Sequence, residues 1–169
     1  MLDLIISQKV QLLDPLIFLT FFKFFTDLGD IKTIIILLFI TTSIFWYLKK
    51  RQEARLIFYT VTTSAILGTI TKTIIDRPRP TPDLVRIFVE ETSKSFPSNH
   101  ALISLVFFGL LALFVNKKPV TIVLFFTVFL IGLSRIYLGV HWASDVLGGY
   151  LIGGAILYLT NKYFYHARR

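Results

Sequence analysis

An all-α polytopic bundle that spans a membrane is the fold class this chain predicts, on three observations. Hydrophobic residues make up 54% of its 169 and charged residues only 17%, with a mean hydropathy of +0.70, far from a soluble domain of this length. Five apolar runs approach the ~20 residues that a ~30 Å hydrocarbon layer requires. These runs are continuous and do not alternate in polarity, which disfavours a closed barrel and leaves helices. The length leaves room for one membrane-embedded domain over 1–169, with short loops.

The elements follow in order. Residues 1–30 are read as an N-terminal interfacial helix or a pair of short ones, in preference to a short sixth span. Leu12 to Phe25 is apolar but broken by Asp14, Pro15 and Lys23, and it ends at Asp27-Leu28-Gly29-Asp30. The five spans are expected near 31–48, 54–75, 98–115, 119–137 and 144–164. Pro78 and Pro80 push Arg77 and Arg79 out of helical geometry, so the second span stops near Asp76 and Arg79 sits on a stiff extended segment. Pro97 and Ser98 read as N′ and N-cap of the third span, with Asn99 and His100 in its first turn. Gly149 and Gly153 in the fifth span permit close helix contact, expected inside the bundle.

Charge sets an orientation. Lys49, Lys50 and Arg51 follow the first span, Lys117 and Lys118 the third, and Lys162, Arg168 and Arg169 the last. In a five-span zigzag these all fall on one side, which should be cytoplasmic. The connections 76–97 and 138–143 then lie on the outer face of a bacterial or archaeal cytoplasmic membrane. The balance of 18 Lys and Arg against 10 Asp and Glu gives a formal +8, but the basic residues form no stripe on a polar face, which argues against nucleic acid. Without cysteine, disulfides and thiolate chemistry are excluded. No cleavable signal is evident, and the sequence sets no oligomeric state.

Three polar clusters interrupt the apolar chain, at 72–80, 97–100 and 134–145. They put Lys72, Arg79, Ser98, Asn99, His100, Arg135, His141 and Asp145 at span ends on one side of the bundle, where hydrocarbon excludes charges unless they face one another or a ligand. The N–H groups opening the third span favour an anion. His141 and Asp145 stand at i and i+4, so the carboxylate can take one imidazole N–H and leave the other nitrogen as nucleophile or base. Two histidines and a carboxylate can also hold a metal. A dication among Lys72, Arg79 and Arg135 would be repelled, whereas a phosphate dianion would be held, so neither metal nor cofactor is expected.

The pattern Lys72, six residues, Arg79-Pro80; Pro97-Ser98-x-His100; Ser134-Arg135, five residues, His141, three residues, Asp145 resembles the three-part signature of the type 2 phosphatidic acid phosphatase family. These are lipid phosphatases whose pocket is shared with vanadium haloperoxidases. The resemblance spans 72–145, and the first seventy residues add only hydrophobic character to it. It implies that His141 is a nucleophile forming a phosphohistidine, Asp145 its orienting partner and His100 the acid that protonates the departing oxygen. It further implies that Lys72, Arg79, Ser98, Asn99 and Arg135 hold the phosphate, with Asn99 standing where the family usually has Gly. The family commonly has six spans. Its substrates allow phosphatidic acid, phosphatidylglycerol phosphate, a polyprenyl diphosphate or a lipid A type glycolipid.

Phosphoryl transfer asks a protein mainly for positioning and charge stabilisation, which three cations and helix N–H groups supply. A phosphotransferase would use the same residues with an acceptor hydroxyl in place of water. An anion transporter would need polar groups through the whole membrane thickness, and here they crowd at one end.

Overall fold

The computed structural model describes residues 1–13 and 15–166, so Asp14, Arg168 and Arg169 lie outside the described residues. Among the described residues the secondary structure is helical: α1 (Leu2–Val10), α2 (Pro15–Leu28), α3 (Ile31–Tyr47), α4 (Arg51–Ile75), α5 (Asn99–Val115), α6 (Lys118–Tyr137) and α7 (Ala143–His166). The expected fold class is borne out, and α3 to α7 coincide with the five expected runs to within three residues at each end.

The span count is lower than expected. Among the described residues two helices are long and apolar enough to cross a membrane, Lys118–Tyr137 and Ala143–Phe164, or three if Ile17–Leu28 and Ile31–Tyr47, which meet at 50°, form one bent span. The reasons are local. α5 has only 17 residues. α4 opens on Arg51, Glu53 and Arg55, ends with Lys72 in its last turn, and carries threonines between. The N-terminal segment is a pair of helices, and the second of them leads into α3 through the break at Gly29.

Local chemistry sets the ends that matter. Asp30 caps α3 by accepting the Lys32 N–H at 2.8 Å. α4 stops at Asp76, which takes a left-handed φ of 51° just before Arg77-Pro78. Ser98 caps α5, its side chain accepting the Ala101 N–H. Asp145, third residue of α7, reaches back to the Trp142 N–H at 2.8 Å, as in half of a capping box.

α5 is the centre of the bundle. Every residue from Ala101 to Leu110 is buried, as expected for a helix that is apolar on all sides. α4, α6 and α7 pack around it. α7 approaches it through the expected glycines: a Cβ on Gly149 would stand 2.6 Å from the Ser98 carbonyl oxygen, and one on Gly153 3.0 Å from that of Leu102. The outer faces expose Phe39, Ile40, Ile66, Ile70, Phe126 and Phe129, the surface expected to meet lipid.

The first seventy residues do more than supply apolar surface. Phe22 of α2 is buried against Tyr137 of α6, with ring centroids 4.4 Å apart. α1 lies over the end of the bundle that bears the polar clusters. Its C-cap residue Gln11 donates to the carbonyls of Arg86 (2.7 Å) and Tyr137 (2.9 Å) and accepts the Arg86 N–H (2.9 Å). The connection 76–97 is thereby tied to the N-terminus, and its Phe88 N–H donates to the Leu138 carbonyl at 3.0 Å.

Candidate active site

Up-and-down packing brings the end of α4, the start of α5, the end of α6 and the turn before α7 to the same end of the bundle. Lys72, Arg79, Asn99, His100, Arg135 and His141 there line one cavity of about 310 Å³, together with Glu91, Ser93 and Thr69. Six of the eight residues singled out in the sequence therefore share a pocket. Ser98 and Asp145 stand behind it, both fully buried.

The turn that delivers His141 depends on Gly139, whose φ is +76° and where a Cβ would meet the Arg86 carbonyl oxygen at 2.0 Å. Val140 and His141 then donate their N–H groups back to the Arg135 carbonyl at 3.2 and 3.3 Å. The two ring nitrogens of His141 face different groups. Nε2 lies 3.2 Å from Nη1 of Arg79; a guanidinium can only donate, so Nε2 carries the lone pair. Nδ1 lies 3.5 Å from Oδ2 of Asp145, an ion-pair distance, and makes no shorter contact. The proton is thus assigned to Nδ1 and the lone pair to the cavity side. Burial, with Arg135, Arg79 and Lys72 adding to it and Asp145 opposing, pushes the His141 pKa from 6.5 down to about 3, so the ring is neutral at physiological pH.

The cations are held by the connection 76–97, by α2 and by the turn before α7. Arg79 donates to the Ser93 carbonyl and hydroxyl (2.6 and 2.9 Å) and to the Val140 carbonyl. Lys72 Nζ donates to the carbonyls of Lys94 (2.6 Å) and Ser95 (3.2 Å). Arg135 donates to Thr26 of α2 at 2.6 Å and to Glu91 at 2.7 Å, while its Nε has no partner among the described residues.

Glu91 stands 2.7 Å from Arg135 and 3.8 Å from Arg79, a carboxylate between two guanidiniums. Asn99 is accommodated by Gly68 of α4, where any Cβ would stand 2.4 Å from the Asn99 Oδ1. Ser98 does not line the cavity. Its side chain is used on Ala101 and its N–H donates to the Asp145 carbonyl at 3.0 Å, because the N-cap packs against the start of α7. Among the described residues no group of three His, Cys, Asp or Glu is placed to hold a metal ion.

Several residues around the site were not singled out by sequence. Ser95 donates to Asp145 Oδ2, Thr26 braces Arg135, and Arg77 donates to Asp145 Oδ1 at 2.7 Å. Arg77 had a signal in its place beside Pro78, but Thr26 and Ser95 had none.

Fold and pocket together define a helical membrane phosphatase. The chain belongs to the PAP2 superfamily, whose model matches residues 53–169, in agreement with the resemblance read from residues 72–145. It is 31% identical over 147 residues to phosphatidylglycerophosphatase B of Bacillus subtilis, covering 82% of this chain and 71% of that one. It is 34% identical over 99 residues to the undecaprenyl-diphosphatase of Sulfolobus acidocaldarius, covering 56% and 47%. The crystal structure of a transmembrane PAP2 type phosphatidylglycerolphosphate phosphatase from Bacillus subtilis superposes with a TM-score of 0.87 at 28% identity, covering 97% of this chain and 85% of that one.

Proposed function

We propose that the protein hydrolyses a membrane-lipid phosphate or diphosphate without a metal, through a phosphohistidine on His141. The observation that carries the proposal is the shared cavity: Lys72, Arg79, His100, Arg135 and His141, drawn from three helix ends and two connections, line one space. In the first step Nε2 of His141 attacks phosphorus and the bond to the leaving oxygen breaks, while His100 gives that oxygen a proton. In the second, His100 takes a proton from water, which attacks the phosphohistidine and releases phosphate. Asp145 offsets the charge that develops on the His141 ring. Lys72, Arg79, Arg135 and the helix N–H groups at Asn99 and His100 hold the phosphoryl oxygens.

A lipid suits this cavity because the cavity is also lined by Ile31 of α3, Ala65 of α4 and Ile103 of α5, apolar side chains below the cations. The basic residues Lys49, Lys50, Arg51, Lys117 and Lys118 sit at the opposite ends of the helices, which supports a site on the outer face of the cell membrane. The relatives named above favour phosphatidylglycerol phosphate as the first substrate to try, with a polyprenyl diphosphate second.

Phosphate released by the purified protein in detergent, measured on phosphatidylglycerol phosphate, phosphatidic acid, a polyprenyl diphosphate and a phosphorylated glycolipid, tests this. Turnover of at least one of them, retained in EDTA and abolished by His141→Ala, is expected. No turnover of any, or full activity in the variant, would overturn it.

A further inference from the structure

Behind His141 the structure holds a chain of alternating charges that reaches the N-terminal helix. Asp145 Oδ2 accepts from Ser95 and from the Trp142 N–H, and Oδ1 accepts from Arg77 Nη1 at 2.7 Å. The same Nη1 donates to the Ser144 hydroxyl at 2.7 Å, and Nη2 to Asp3 Oδ2 at 2.8 Å. Asp3 also accepts the Ser144 N–H (2.8 Å) and hydroxyl (2.6 Å). Asp145 is fully buried, whereas the Arg77 and Asp3 side chains are 30% and 25% exposed. Arg77 is itself fixed from the loop side, where its carbonyl accepts the Ser95 N–H at 2.9 Å.

We infer that Arg77, held by Asp3 of the N-terminal helix, is a positioning residue for catalysis that acts through Asp145. The inference rests on the phosphatase reading given above. Its physical basis is that a buried carboxylate needs a partner for each oxygen. The Oδ2 side is provided for locally, by the α7 cap and by Ser95. Among the described residues Oδ1 has Arg77 alone. Without it, one oxygen of Asp145 is left buried and unpaired, and the carboxylate turns toward whatever donor is in reach. Its alignment with Nδ1 of His141, already at 3.5 Å, is then lost. Neither Arg77 nor Asp3 lines the cavity, so substrate binding should be indifferent to both. Asp3 acts one step further out: it holds the Arg77 fork in place and, through Ser144, the first turn of α7.

Steady-state kinetics on the best lipid substrate separate this from a structural or a phosphate-binding role. Arg77→Met should lower kcat by up to about 100-fold, as for a small misplacement of a reacting group, with KM and vanadate inhibition unchanged. Arg77→Lys should recover part of the loss, and Asp3→Asn should lower kcat by a smaller factor. The decisive comparison is on an Asp145→Asn background, itself impaired, where adding Arg77→Met should change kcat little because both act through one group. A full multiplicative loss in the double variant, or a raised KM with intact kcat in the single one, would overturn the inference. If Arg77→Met does not fold, Asp3→Asn decides: kcat lowered at constant KM supports the inference, and wild-type kcat overturns it. Failure of the phosphatase reading is distinct, since wild type would then release no phosphate or His141→Ala would be fully active.

Discussion

His141 presents one nitrogen to Arg79 and the other to Asp145, a division that suits the nucleophilic role proposed for it. Its depressed pKa, about 3 against 6.5 in a free chain, has a measurable sign. The folded protein leaves this ring neutral until pH approaches 3, while the unfolded chain protonates it below 6.5. Acidification from pH 7 to 5 therefore favours unfolding, by about 2 kcal/mol for this group. Thermal unfolding in detergent at the two pH values should show a larger drop for wild type than for His141→Asn; equal drops would contradict the assignment. Glu91 gives a second test at this scale. It is an anion already placed between Arg135 and Arg79, so it competes with phosphate for both. Glu91→Gln should tighten vanadate inhibition several-fold, and a weaker inhibition would mean that Glu91 is needed to hold Arg135 in place.

At the scale of elements, close approaches of backbone to backbone at Gly139, Gly149 and Gly153 carry the geometry. Gly149 lets α7 lie against the Ser98 carbonyl at the start of α5, so the N-cap that carries Asn99 and His100 and the helix that carries Asp145 are locked to each other. Gly149→Leu should lower the unfolding temperature, at a cost of about 1–3 kcal/mol for overpacking; an unchanged midpoint would place that helix contact elsewhere. The ends of α3 to α7 were legible because prolines, caps and charges mark them in the sequence. The 50° bend between α2 and α3 and the route of 76–97 were not. Both depend on tertiary contacts, Phe22 on Tyr137 in one case and Gln11 on Arg86 in the other, that join residues far apart in the chain. The number of spans was overread for a related reason: an apolar run was counted as a crossing, although α5 is short and α4 is polar at its ends.

For the whole molecule, a membrane makes function unusually visible in sequence. Lys72, Arg79, His100, Arg135 and His141 stood out because cations and imidazoles at the ends of apolar helices are costly without a ligand or a partner, and all five line one cavity. The groups that hold them, Thr26, Glu91, Ser93 and Ser95, are ordinary residues in ordinary surroundings until the bundle assembles. Ser98 was legible as the N-cap of α5, and the fold places it there, buried behind the cavity. A site that works by fixed cations alone should keep its activity in EDTA, and restoration of an EDTA-treated sample only by a divalent metal would contradict that.

The most direct measurement is a rapid acid-free quench of the protein turning over a lipid substrate labelled in its phosphate, followed by peptide mapping. A base-stable, acid-labile label on the peptide that contains His141, absent in His141→Ala, is the predicted result. A label on another residue, or no label under conditions where the dephosphorylated lipid is released in a burst, would contradict nucleophilic attack by His141.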